Sequence, residues 1–176
     1  LDTKQSQVSV KYDGAPAIVY GTNPENGMFF VGTKSVFNKR RIKINYTHTD
    51  IENNHGHIPK VASILHICLD RLPHNDGIYQ GDFIGYAGSD THTPNTITYK
   101  FDNVIDDIIV ATHTQYIGAT IQELDAKFHY RQSKSYGVHF IDTGAEITKR
   151  NFRLNLLITL AKTVIPFVQF PKSDDI

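Results

Sequence analysis

Val8-Ser9-Val10-Lys11-Tyr12-Asp13-Gly14-Ala15-Pro16-Ala17-Ile18-Val19-Tyr20-Gly21 is the stretch on which the reading of this chain turns. Val8, Val10, Ile18, Val19 and Tyr20 are β-branched or aromatic and favour a pleated, half-buried surface. Asp13-Gly14-Ala15-Pro16 carries the residue types of a tight turn, so the stretch predicts a β-hairpin with a lysine near its mouth.

Working outward, Thr22-Asn23-Pro24-Glu25-Asn26-Gly27 is rich in turn formers, and an apolar run follows at Met28–Phe37. Asn-Gly between two apolar runs is a strong hairpin signal. Together these predict an antiparallel start to a sheet, with Lys11 and Lys34 on neighbouring strands. Ile58, Val61, Ala62, Leu65, Leu69 and Leu72 recur at spacings of three and four behind Pro59, which predicts an amphipathic helix covering that sheet and ending before Pro73. Gly77–Tyr86, Thr96–Phe101, Ile108–Thr114 and Gly137–Ile141 read as strands, and Asn45–His57 reads as a polar loop. Thr120 with Glu123 has the form of a capping box, which predicts a helix to about Gln132, and a stripe from Phe152 to Val164 predicts a last helix that Pro166 ends.

The expected class is α+β, a mainly antiparallel sheet with flanking helices in one domain over residues 1–176. At 176 residues with 40% hydrophobic content, the chain is long enough for a core of its own. Eighteen Lys and Arg balance eighteen Asp and Glu, so any electrostatic case for nucleic acid rests on a local patch. That patch is Lys39-Arg40-Arg41-Ile42-Lys43, either a phosphate-contacting run or a solvated loop. The single Cys68 excludes an intrachain disulfide framework and fits a reducing compartment, and no apolar run reaches the roughly 20 residues of a membrane span. A cytoplasmic, monomeric protein with no membrane association is the expectation. His48, His55 and His57 raise a metal question that no further ligand at zinc-like spacing completes.

Lys11-Tyr12-Asp13-Gly14 has the form Lys-x-Asp-Gly and resembles the nucleotidyl-acceptor motif of the covalent nucleotidyltransferases: ATP-dependent DNA ligases, RNA ligases and mRNA capping enzymes. The resemblance implies a nucleotidyltransferase fold (an ATP-grasp-like ligase adenylation domain) with Lys11 as the nucleophile on the α-phosphate of ATP, and Asp13 and Gly14 beside the nucleotide. Thr33-Lys34-Ser35 looks like the Ser/Thr-Arg/Lys element that touches the nucleotide in those families, though Lys34 also reads as an exposed strand lysine. Gln80-Gly81-Asp82 falls where they place Asp-Gly-Glu and makes Asp82 the candidate ligand of Mg²⁺; the alternative is an outward residue of a half-buried strand. The Ile108–Thr114 strand falls where they carry a base-stacking aromatic, a role open to His113 or Tyr116.

The chemistry has a physical requirement. A free lysine, with a pKa near 10.4, is only about 0.04% neutral at neutral pH, so an attacking amine needs cationic neighbours that favour its uncharged form. The same positive charge stabilises a departing pyrophosphate.

The resemblance spans residues 8–118 and departs from the families in places. Pro16 stands where several DNA ligases have Arg, which makes the match closest to RNA-ligase-type or phage-encoded relatives; a phage-encoded protein would act in its host's cytoplasm. Neither a Glu-Gly strand element nor a Lys-x-Lys pair follows downstream, so the chain is expected either to continue past Ile176 or to bind nucleotide without transferring it. The readings carried forward are an ATP- and Mg²⁺-dependent DNA or RNA ligase-like enzyme, a capping guanylyltransferase, a nucleotide- or nucleic-acid-binding module, and a structural domain in which the tetrapeptide is coincidence.

Overall fold

The computed structural model describes residues 8–102, 104–129, 135–145 and 159. The chain divides into two compact units, one comprising Ser9–Gly144 and the other Leu1–Val8 with Ala145–Ile176. The account below concerns the first. The helix expected over 152–164 lies outside the described residues.

In chain order the elements are β1 (Val8–Ser9), β2 (Ala17–Thr22), β3 (Phe29–Gly32), a 3₁₀ turn (Lys34–Phe37), α1 (His48–His55), α2 (Pro59–Arg71), β4 (Ile78–Tyr86), β5 (Thr91–His92), β6 (Tyr99–Lys100), β7 (Ile108–Ile117), β8 (Asp125–Phe128), β9 (Val138–Phe140) and β10 (Gly144–Ala145). The main sheet runs β3-β2-β4-β7-β8, antiparallel throughout, and β9 joins the far edge of β7 in parallel. The class is therefore α+β with a mainly antiparallel sheet and two helices.

Three expectations hold in their physical detail. Asn23–Gly27 turns β2 into β3, with the Asn23 and Asn26 side chains accepting from the backbone N–H of Glu25 and Met28, and with Gly27 at φ +71°. Pro59 opens α2, which buries Ala62, Ile64, Leu65 and Cys68 against one face of the sheet together with Ile18, Tyr20, Val31, Phe83 and Val110. Strand β4 carries its carboxylate among apolar neighbours and β7 opens on the apolar run Ile108–Ala111, both buried because the two faces of the sheet centre are covered.

The opposite face carries two smaller clusters. Val19, Phe30, Val36, Ile78 and Ile121 form one, and Ile84, Ile109, Ala111 and Ile141 form the other. Along β4 the two are separated by Gln80 and Asp82, which make the sheet centre polar on this face.

Other expectations are corrected. The turn residues 13–16 do not close a hairpin: β2 pairs with β3 and β4, and the segment before it runs beside β4, with Ala15 N–H donating to Phe83 O (3.0 Å) and Phe83 N–H to Pro16 O (3.1 Å). Glycine is required there by close approach, since a Cβ on Gly14 would lie 2.6 Å from Asp82 Cβ. Lys11 accordingly lies outside any strand, and the 28–37 strand stops at Gly32, where Thr33 caps the 3₁₀ turn that Lys34 opens.

Residues 45–57 are not a loop. They contain α1, whose capping box has Asp50 N–H donating to Thr47 Oγ1 (3.1 Å) and Thr47 N–H to Asp50 Oδ2 (2.9 Å). Replacing Thr47 by alanine is expected to cost about 1 kcal/mol in urea unfolding, the usual worth of such a cap; an unchanged midpoint would mean that α1 is held by its packing alone.

The helix expected from Thr120 is a single turn followed by β8. Ile121 N–H donates to Glu25 Oε2 (3.1 Å), Ile121 is buried beneath the sheet, and Asp125–Phe128 pairs with Thr114–Ile117. The open edge of β7 offers that segment more backbone hydrogen bonds than a short amphipathic helix gains from its cap. The strand expected over 96–101 shrinks to Tyr99–Lys100.

Candidate functional site

Asp82 sits on the central strand with its side chain 13% exposed, and burial pushes its carboxyl up to about 6. The Lys34 and Lys11 ammoniums oppose that rise, and the Asp13 carboxylate adds to it. Burial lowers His113 below the usual imidazole range, and the same two lysines lower it further. At neutral pH Asp82 is thus ionised and His113 uncharged, and their 3.9 Å approach is no ion pair. The fields of Lys11 and Lys34 therefore converge on one carboxylate and one imidazole.

Local structure explains why His113 faces the carboxylate. His113 continues the alternation of Ile109 and Ala111, which pairs with Asp82, and the β4–β7 ladder skips it between Gly81↔Thr112 and Gln80↔Thr114, a bulge that shifts the register after it. A Cβ on Gly81 would lie 2.7 Å from Ala111 O, so the strands close up beside the bulge. His113 Nδ1 is 2.8 Å from Thr114 Oγ1, and Tyr116 OH donates to Gln80 Oε1 (2.7 Å) on the same face.

Lys11 and Lys34 are exposed. Thr33 and Ser35 are half-buried and spend their hydroxyls on each other at 2.8 Å, which supports the loop that presents Lys34. Gly14 is packed against Asp82 as described above. Asp13 is committed elsewhere: its carboxylate accepts from Asn95 Nδ2 (3.0 and 3.2 Å) and Thr96 Oγ1 (3.1 Å), bonds that hold it below the usual carboxylate range. Its backbone N–H donates to Tyr99 OH at 2.6 Å, and the Tyr12 and Tyr99 rings lie 5.2 Å apart. Asn95, Thr96 and Tyr99 thus fix the loop that bears Lys11. Their part was not read from sequence, because Asn95 lies in a Gly/Ser/Thr/Pro loop and the alternation of Thr96–Phe101 says nothing of what its side chains bond.

The basic run divides. Lys43 Nζ donates to Asn54 O (2.7 Å) at the end of α1, a structural bond, whereas Lys39, Arg40 and Arg41 are exposed and make no ion pair among the described residues. The histidines do not gather. His48 contacts His66 (2.7 Å) and Asp70 (3.1 Å) across the two helices, His66 contacts Glu52 (2.6 Å), His55 is buried, and His57 is exposed. The Cys68 thiol is buried and raised by that burial, which makes it unsuited to act as a nucleophile.

Among the described residues no three His, Cys, Asp or Glu side chains converge as a metal site. Mg²⁺ fits Asp82 in the way it fits a lone carboxylate that shares the ion with substrate phosphates and water. No helix among the described residues is long and apolar enough to cross a membrane.

No curated protein and no solved structure matches the chain. A family described as "Family of unknown function (DUF6267)" matches residues 1–175. With nearly its whole length matched, the chain belongs to that family.

Proposed function

We propose that this protein is an ATP-dependent nucleotidyltransferase of the polynucleotide-ligase type, built on the ligase adenylation fold, with Lys11 as its covalent nucleophile. The observation that carries the reading is that Gly14–Pro16, just after Lys11, pack against the strand that bears Asp82, so that two lysines from separate loops bear on one carboxylate.

In this reading Lys11 gives up its proton for the step and its amine attacks the α-phosphorus of ATP. The P–N bond forms as the bond from the α-phosphorus to the bridging oxygen breaks; its electron pair leaves with pyrophosphate, and the nitrogen sheds a proton to water. Lys34 supplies positive charge beside the transferring group. Asp82, ionised at neutral pH, would hold Mg²⁺, which would supply charge neutralisation on the phosphates. His113, uncharged, stands where a base or ribose can stack or donate to it. Tyr116 is the other candidate for the stacking role, its ring held in place by the bond from its hydroxyl to Gln80.

The exposure of Lys11 favours a second reading, a module that binds nucleotide or nucleic acid without transfer. Incubation of the full chain with Mg²⁺ and α-labelled ATP or GTP, followed by a denaturing gel, separates the possibilities. Label from ATP that survives denaturation supports the proposal, and preference for GTP indicates a capping-type guanylyltransferase instead. Absence of label from either nucleotide overturns both enzymatic readings and leaves the binding module.

A further inference from the structure

A groove of about 430 Å³ lies beside the Asp82 site, lined in part by Phe37, Lys39, Ile42, Tyr116, Ile121 and Leu124. Its floor is aromatic and aliphatic: the Phe37 and Tyr116 rings lie 4.8 Å apart and tilted, and Ile42 is 40% exposed. Lys39 stands on its rim, and Arg40 and Arg41 follow it in the chain, three exposed cations without an acidic partner among the described residues, in a chain whose overall charge is zero. Tyr116 joins the groove to the site, because its hydroxyl bonds Gln80, two residues before Asp82 on β4.

We infer that this groove takes a single-stranded segment of nucleic acid, its phosphates along Lys39, Arg40 and Arg41 and an unpaired base against Phe37, Ile42 and Tyr116. The identity of the strand as a substrate rests on the reading given under Proposed function; the binding itself does not. Cations alone would serve a duplex as well as a single strand. An apolar, aromatic floor serves only a base whose faces are free, since a paired and stacked base offers neither. An acidic peptide would satisfy the rim but leave the aromatic floor without a partner.

The test is fluorescence anisotropy with labelled single-stranded RNA, single-stranded DNA and duplex DNA, without nucleoside triphosphate or Mg²⁺, so that failure of the labelling experiment leaves its outcome intact. Three phosphate contacts predict a log–log salt slope of about −2 for single strands, and Lys39→Ala/Arg40→Ala/Arg41→Ala should flatten that slope to near zero. Single strands should bind about tenfold or more tightly than duplex. Loss of the stacking floor in Tyr116→Ala should weaken single strands roughly tenfold. Ile42→Asp, at an exposed position that leaves the core intact, serves as the second floor variant and should do the same. Equal or tighter binding of duplex, a salt slope unmoved in the triple variant, floor variants that bind like the parent, or no binding at all would each overturn the inference. The RNA and DNA arms show whether the 2′-hydroxyl is read.

Discussion

Lys11→Ala should abolish covalent nucleotide labelling while leaving thermal stability within about 0.5 kcal/mol of the parent, because the side chain is exposed and its removal opens no cavity. Few residues separate function from folding so cleanly. Lys11→Arg should be equally silent in labelling: a guanidinium keeps its proton at any pH the protein survives and cannot attack phosphorus. A Lys11→Ala variant that still takes up label would move the nucleophile elsewhere. One that fails to fold would assign Lys11 a structural role that its exposure does not suggest.

Asp82→Asn should lose labelling and gain stability together. In the folded chain the Asp82 carboxyl lies at about 6, against the ordinary 3.8 of an aspartate, so between those values the folded state binds more protons than the unfolded. Stability contributed by this group is therefore highest below about pH 4, falls as pH rises through the window to about 6, and stays reduced above it. A gap of about two pH units corresponds to about 3 kcal/mol, and residual exposure trims this to about 2 kcal/mol. At pH 7.5 the asparagine variant should be more stable than the parent by that amount, and the difference should vanish near pH 4. The parent's labelling rate should rise through pH 6 as the carboxylate ionises. Equal stability of the two proteins at pH 7.5 would show that Asp82 carries no desolvation strain. A stability gain without loss of label would remove Asp82 from the chemistry.

How much of this was legible beforehand depended on whether the signal was local. The Asn-Gly hairpin, the Pro59 helix and the β4 and β7 strands were readable because each is decided within its own window, by turn chemistry or by periodicity. Residues 13–16 were not, since Asp-Gly-x-Pro looks the same whether it closes a hairpin or slips past a neighbouring strand; only the proximity of Asp82 to Gly14 decides, and that contact spans 68 positions of sequence. The same holds for 120–128, where a locally sound capping box loses to the unpaired edge of β7. The α1 helix was a missed local signal: Thr47 with Asp50 is a capping box in plain view, obscured by a polar and histidine-rich surround.

The candidate site divides along the same line. Lys11, Lys34, Asp82 and His113 are brought within electrostatic reach of one another, and Gly14 packs on the same strand. Asp13 is instead a brace for the loop, and Lys43 a brace for α1; both bonds join segments that no periodic pattern links. Asn95, Thr96 and Tyr99 enter the site for that reason and for no feature of their own sequence neighbourhood.

The central claim is that Lys11 forms a bond to phosphorus, and mass spectrometry of the full chain after incubation with ATP and Mg²⁺ tests it most directly. The account predicts one AMP per chain, lost on mild acid treatment as a phosphoramidate should be, and carried on the peptide that contains Lys11-Tyr12-Asp13-Gly14. An unmodified chain, or AMP found on any other lysine, would contradict it.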